Sequence, residues 1–86
     1  MKFEYDPKKS ERNKIKHDIS FEEAKEIWED AFRIEFPARS IDEKRYAVMG
    51  TVAKKLYIAI ITHRSGSIRI ISVRRARKNE EKQYYR

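Results

Sequence analysis

The sequence predicts an α+β domain, a mostly antiparallel β-sheet with helices packed against it. Three observations lead there. Apolar residues recur at three- and four-residue steps in the first third of the chain and at two-residue steps from Phe32 onward. Ser20-Phe21-Glu22-Glu23 has the form of a capping box at the head of the helical stretch. Leu56 to His63 is apolar on both faces, the pattern of a strand covered from each side.

Taken in order, Phe3 to Tyr5 reads as a short strand, and Asp6-Pro7 as a helix start with Asp6 as N-cap and proline at the first helical position. That helix, Pro7 to about His17, has Ile15 as its one strong apolar residue and is expected on the surface. Behind the capping box, Phe21, Ala24, Ile27, Trp28 and Ala31 form one apolar stripe of a second helix. Phe32, Ile34 and Phe36 then alternate with Arg33 and Glu35 as a strand that Pro37 ends, followed by a loop from Pro37 to Asp42. Lys44 to Thr51 is the next strand; Ala53-Lys54-Lys55 connects it to Leu56–His63, the expected central strand. Arg64-Ser65-Gly66-Ser67 is a hairpin connection with Gly66 free to take positive φ, Ile68 to Arg75 returns as a strand, and a helix from about Ala76 to Tyr85 closes the chain.

A chain of 86 residues has room for one core, since a domain of this size hides only about 60 to 65% of its unfolded surface. With no repeat and no low-complexity linker, residues 1–86 are expected to form a single domain. There is no cysteine, so neither disulfides nor a thiolate metal site supplement that core. The start turns polar at once, and no stretch approaches the roughly 18 apolar residues of a membrane span, so the expected place is the cytoplasm, with no membrane partner.

Twenty-one Lys and Arg stand against fourteen Asp and Glu, a formal net charge of +7 that predicts a polyanionic partner. The charge is divided along the chain. Residues 1–43 carry nine basic and twelve acidic side chains, net −3; residues 44–86 carry twelve and two, net +10. Nucleic acid, and RNA first, is the partner this distribution suits.

Strict alternation in the last strand would put Ile68, Ile70, Ser72 and Arg74 on one face and Arg69, Ile71, Val73 and Arg75 on the other. Arginine's planar fork fits phosphate oxygens, so Arg74 or Arg75 is a candidate clamp for a scissile phosphate. His17 and His63 are the side chains whose ordinary pKa suits proton transfer from a ribose hydroxyl; a polar cap at the end of a helix or strand is the competing role for each. Two histidines with no cysteine and no HExxH spacing do not make a zinc site, and a metal is rejected. In the last helix Arg77, Glu80 and Tyr84 share a face, with Tyr85 beside them, placing a tyrosine either against a base or against the sheet. Glu43, in Asp42-Glu43-Lys44-Arg45, is either a base or a member of a surface ion pair.

Taken together these segments resemble the BrnT toxin family, the toxin half of a bacterial type II toxin–antitoxin pair and a relative of the RelE-like ribonucleases. The likeness rests on Phe3-Glu4-Tyr5-Asp6-Pro7 with Lys8 and Lys9, Asn13, Lys16-His17, Ile19 to Ala24, Arg45 followed by Gly50, and Ile68 to Ala76 with Glu80 and Tyr84. It implies a RelE-like fold and a toxin that cuts RNA and so blocks translation, without a metal or other cofactor. A base takes the 2′-OH proton, the oxygen attacks phosphorus, cations hold the phosphorane, and an acid protonates the departing 5′ oxygen. Arg74, Arg64 and Arg69 are the charge stabilisers this implies, His17, His63 or Glu43 the proton-transfer groups, and Tyr84 a stacking or orienting group. Arg45, Arg69, Arg75 and Arg77 are the RNA-binding candidates. The likeness further implies a BrnA-type antitoxin, a complex of two toxins with two antitoxins, and contact with operator DNA only through the antitoxin. Asp18 stands where the family has glycine, which calls for a different turn or a left-handed backbone. A noncatalytic module that binds nucleic acid or protein through the same basic face is the alternative.

Overall fold

A computed structural model describes residues 1–85. Its elements are β1 (Phe3–Glu4), α1 (Pro7–His17), α2 (Phe21–Ala24) running on as a 3-10 turn (Lys25–Glu29), β2 (Ile34–Ala38), β3 (Arg45–Val52), β4 (Lys55–Arg64), β5 (Ser67–Arg75) and α3 (Lys78–Tyr84). The strands form one sheet in the order β1-β5-β4-β3-β2, antiparallel except for the β1–β5 pair. β4 is central, as its two-faced apolar run predicts. Ala59 and Ile61 face one cluster with Ile19, Phe21, Ala24, Ile27, Val48 and Val73. Leu56 and Ile58 face the other with Ala47 and Met49, where Tyr84 of α3 packs.

α1 starts as the sequence predicts, with the Lys8 N–H donating to Asp6 Oδ1 at 2.9 Å and Pro7 at its head. It ends on Asp18 at φ 60°, ψ 28°, the left-handed backbone expected there. Ile15 is 86% exposed, so the helix docks without an apolar stripe. Buried polar side chains do the docking. Asn13 donates to the carbonyls of Ile19 (2.8 Å) and Val73 (2.9 Å) and accepts the Val73 N–H at 3.2 Å, while Ser10 Oγ accepts the Phe21 N–H at 2.9 Å.

Several expected boundaries move, each for a physical reason. The second helix does not reach Ala31: after the complete capping box the α-helix stops at Ala24 and the 3-10 turn at Glu29. Asp30 ends it, because its carboxylate accepts the Phe32 N–H (2.8 Å) and the Thr51 N–H (3.0 Å) and so holds the chain in an extended turn toward β3. Ala31 is exposed, Phe32 is 78% exposed, and β2 begins at Ile34. Pro37 does not end β2 but lies inside it opposite Tyr46, which an edge strand permits because its missing N–H can face away from the ladder. The 3-10 turn lies so close to β3 that a Cβ on Gly50 would come within 2.9 Å of Ile27 Cγ2, so glycine is required there.

Strict alternation in β5 also fails. Ile61 pairs with Ile70 and Ile60 with Ser72, leaving Ile71 as the extra residue of a β-bulge. Beyond the bulge the faces exchange. Val73 joins Ile68 and Ile70 on the helix-covered face, and Arg74, opposite Ile58, turns to the face under α3. α3 starts at Lys78 and not Ala76, whose N–H is still bonded to the Leu56 carbonyl at 2.9 Å.

Candidate functional site

The ten candidate residues gather at the two ends of the sheet. Arg69 and Arg74 are five residues apart on β5, roughly 15 Å at strand rise, so the two groups cannot act on one phosphate.

At the far end stand Arg74, Arg75, Arg77 and Tyr84. Arg74 holds Glu80 in a two-point pair, Nη1 to Oε1 at 2.9 Å and Nη2 to Oε2 at 2.8 Å, and Glu80 Oε1 also accepts the Arg77 N–H at 2.8 Å. The Arg74 guanidinium brings the Glu80 carboxyl down to about 2, against the opposing effect of burial, and Arg74 is itself raised by the same pair. Tyr84 donates its hydroxyl to Asp30 Oδ2, which also accepts the Thr51 hydroxyl at 3.1 Å. Burial and the Asp30 carboxylate push Tyr84 up to about 12. Burial acts to raise Asp30 too, but the bonds from Tyr84, Phe32 and Thr51 outweigh it and hold the carboxyl below its ordinary value. The Arg75 guanidinium lies 5.5 Å from the Tyr57 ring centre. His17, half-buried, ends α1 one turn beyond Asn13, which grips Val73, so it belongs to this end as well.

At the hairpin end stand His63, Arg64, Arg69, Glu43 and Arg45. His63 Nε2 is 2.8 Å from Glu35 Oε2, and its ring centre is 5.1 Å from that of Tyr46. Glu35, Tyr46 and His63 come from three neighbouring strands and lie on the face that α1 and α2 cover, opposite α3. Arg64 also holds its carboxylate at two points, Nε to Glu43 Oε2 at 3.0 Å and Nη2 to Glu43 Oε1 at 3.2 Å. Arg69 Nη1 meets Glu4 Oε2 at 2.9 Å. Glu4 also accepts the Ser67 hydroxyl at 2.8 Å; that bond first, then Arg69, lowers its carboxyl. The Thr62 hydroxyl donates to the Lys44 carbonyl at 2.9 Å and ties the start of β3 to β4.

Arg45 differs from the other arginines of the sheet. Its Nε is the one buried side-chain polar atom without a hydrogen-bond partner among the described residues, and like Arg75 it enters no ion pair there. A buried donor left unpaired costs roughly 1–3 kcal/mol. The charge division along the chain is partly undone in space, since Glu4 and Glu43 of the acidic half neutralise Arg69 and Arg64 of the basic half.

Glu35 and Tyr46 were not legible as site residues. Both are ordinary members of alternating strands, and a strand register is needed to bring them to His63. Among the described residues no three His, Cys, Asp or Glu side chains group as a metal site, and no helix is long and apolar enough to cross a membrane.

Comparison with curated proteins finds no match. A family model, described as the ribonuclease toxin BrnT of type II toxin–antitoxin systems, matches residues 5–80, which cover α1, α2, β2 to β5 and the start of α3. The chain therefore belongs to the BrnT family of ribonuclease toxins.

Proposed function

We propose that the chain is a metal-independent endoribonuclease whose reacting centre is the hairpin end, with His63 as the base, Glu35 orienting it and Arg64 holding the charge on phosphorus. The observation that carries this reading is the His63–Glu35 contact at 2.8 Å against the Tyr46 ring. It is the one imidazole–carboxylate pair among the described residues, and it stands on strands that hold it still. A carboxylate on one ring nitrogen fixes the tautomer and leaves the other nitrogen free to accept a proton. His63 takes the proton of the 2′-OH, the 2′ oxygen bonds to phosphorus, and the bond to the 5′ oxygen breaks. The departing oxygen takes a proton from solvent. The products are a 2′,3′-cyclic phosphate and a free 5′-OH.

Arg64 suits the charge-holding role because Glu43, though paired with it at two points, is nearly half exposed and open to replacement by a phosphate. Arg74 is assigned a different role. Its two-point pair with Glu80 is shorter and more buried, which supports reading it as the pin that holds α3 to the sheet.

As a toxin of this class the chain acts in the cytoplasm and is silenced by a BrnA-type antitoxin. We place that antitoxin, in a two-and-two complex, over the hairpin end, where it would block RNA; operator DNA is then met only through the antitoxin.

The test is incubation of a defined RNA with the chain in EDTA, with the product ends resolved. Cleavage that survives EDTA, leaves 2′,3′-cyclic phosphate and fails in His63→Ala supports the reading. Cleavage that persists in a folded His63→Ala variant and fails in a folded Arg74→Ala variant moves the centre to the other end. RNA that is bound but left whole calls for the same assay on translating ribosomes, and whole RNA there too would overturn the nuclease assignment.

A further inference from the structure

We infer that the hollow beneath the loop from Arg39 to Lys44 is a phosphate subsite for RNA, with Arg45 and Arg39 as its cations and Ile41 as an apolar ledge beneath the attached base. The inference rests on the reading that RNA is the substrate and places one neighbouring nucleotide of the strand being cut.

The unpaired guanidinium is the first argument. Arg64, Arg69 and Arg74 each hold a carboxylate, whereas Arg45 holds none and keeps a buried Nε without an acceptor. Nε is closed to solvent as the side chain lies, so Arg45 has to turn toward the hollow for a phosphate oxygen to supply that acceptor; the guanidinium edge then binds phosphate through two parallel N–H groups.

The space is the second argument. Arg45 lines a hollow of about 640 Å³ with Arg39, Ser40, Ile41 and Asp42. It also lines a smaller one of about 270 Å³ that adds Lys44 and Tyr46. The two meet at Arg45 and Ser40, so the hollow continues from the loop to the start of β3. Tyr46, next along the strand, has its ring beside that of His63 on the opposite face, so an RNA strand seated in the hollow has to round the end of the sheet to reach the proposed base.

The third argument is the balance of charge. Asp42 is the one acid in the lining, and its Oδ1 is taken by the Glu43 N–H at 2.8 Å. That bond and the nearby Arg45 keep Asp42 ionised, but Arg39, Lys44 and Arg45 outnumber it and leave the hollow net positive. Ile41 is wholly exposed at its mouth, at 104% of the reference area, and offers an apolar contact for a base that no sequence-specific hydrogen bond is needed to hold.

The probe is a short 2′-deoxy oligonucleotide, which binds without being cut. Its affinity for the full chain is measured against salt, with the arginine Nε–Hε resonances followed by NMR. The Arg45 resonance is expected to shift on binding. Arg45→Gln should weaken binding about tenfold and lower the salt slope by about 0.7, the value for one single-strand phosphate. Arg45→Lys should recover the slope but only part of the affinity, because it keeps charge and loses the fork. On cleavable RNA, Arg45→Gln should raise KM and leave kcat nearly unchanged.

If Arg45→Gln does not fold, Arg39→Gln, on the exposed loop, carries the same test with a smaller loss. Unchanged oligonucleotide affinity in the folded variants overturns the subsite. So does an Arg45 resonance that shifts with an acidic peptide and not with the oligonucleotide, which would make the hollow a protein contact. The failure of His63→Ala to affect cleavage would sink the proposed reacting centre and leave the oligonucleotide result standing, so the two readings fail separately.

Discussion

The two ends of the sheet hold similar charged residues in dissimilar ways. At the α3 end the Arg74 and Glu80 side chains are 29% and 21% exposed, the pair is two-pointed, and a second pair from Tyr84 to Asp30 lies beside it. At the hairpin end His63 and Glu35 are 48% and 39% exposed and Arg64 and Glu43 are 45% and 46% exposed. Arg64 and Glu43 also meet at two points, so burial is what separates the ends: exposed pairs contribute about 0–1 kcal/mol, whereas a partly buried one contributes more and is harder to exchange. The first set is suited to holding a short helix on the sheet. The second can release its carboxylates to an incoming phosphate at little cost, which is what a binding surface needs.

Exchanging one substitution between the ends gives the largest effect. His63→Ala should lower cleavage by about 10²- to 10⁴-fold, the usual range for a general base, and change stability by less than about 1 kcal/mol. Arg74→Ala should do the reverse, leaving cleavage per folded molecule within about threefold of the parent while costing about 2 kcal/mol, because Glu80 is left partly buried without its partner. Cleavage of RNA alongside thermal unfolding checks both, and if the two variants lose activity alike the division of labour is wrong.

The Glu80 pair has a pH signature. Glu80 is depressed from 4.5 to about 2, so its stabilisation is fully present above pH 4.5 and is lost as pH falls through about 2. The shift corresponds to roughly 3 kcal/mol at face value and nearer 2 once residual solvent contact is allowed for. Glu80→Gln should therefore be about 2 kcal/mol less stable than the parent at pH 7, and the gap should close toward pH 2. Denaturant unfolding at several pH values measures it. A gap that stays constant would mean that packing of α3, and not the charge, is what the substitution removes.

Much of this division could be read from the chain, and the unread part has a common cause. The capping box at Ser20, the proline start of α1, the left-handed Asp18 and the central β4 are set by residues close together in sequence, and each appears where local chemistry puts it. Asp30 ending the second helix, the bulge at Ile71 and the meeting of Glu35 with His63 all depend on partners from 20 to 30 positions away or on register between strands. Hydrophobic period gives no register. The bulge had the largest consequence, since it sends Arg74 to the α3 face and Arg75 to the face with Tyr57. Of the candidate site, the residue types were legible and their sorting into two groups was not.

The turns at the two ends also differ, and this gives a smaller effect. The hairpin turn has Gly66 at φ 75°, whereas the β3–β4 turn at the other end puts Ala53 at φ 51° and Lys54 at φ 67°. For residues other than glycine, asparagine and aspartate, left-handed backbone costs about 1 kcal/mol or more each. Lys54→Gly should thus stabilise the fold by about 1 kcal/mol with cleavage unchanged, measured by thermal unfolding. A loss of RNA affinity in that variant would show that the α3 end also meets substrate and would blur the contrast between the ends.

Glu43→Gln should have the smallest effect on stability and the sharpest meaning for the site. Both Arg64 and Glu43 are nearly half exposed, so removing the charge should change unfolding by no more than about 0.5 kcal/mol. If Glu43 only neutralises Arg64 in the free protein, the variant frees that guanidinium, and KM for RNA should fall about two- to threefold with kcat steady, because the phosphate no longer competes with a carboxylate. If Glu43 transfers a proton, kcat should fall instead, by about 10²-fold or more. The sign of the change distinguishes a placeholder for substrate from a participant in the reaction, and the exposure of the pair at the hairpin end predicts the placeholder.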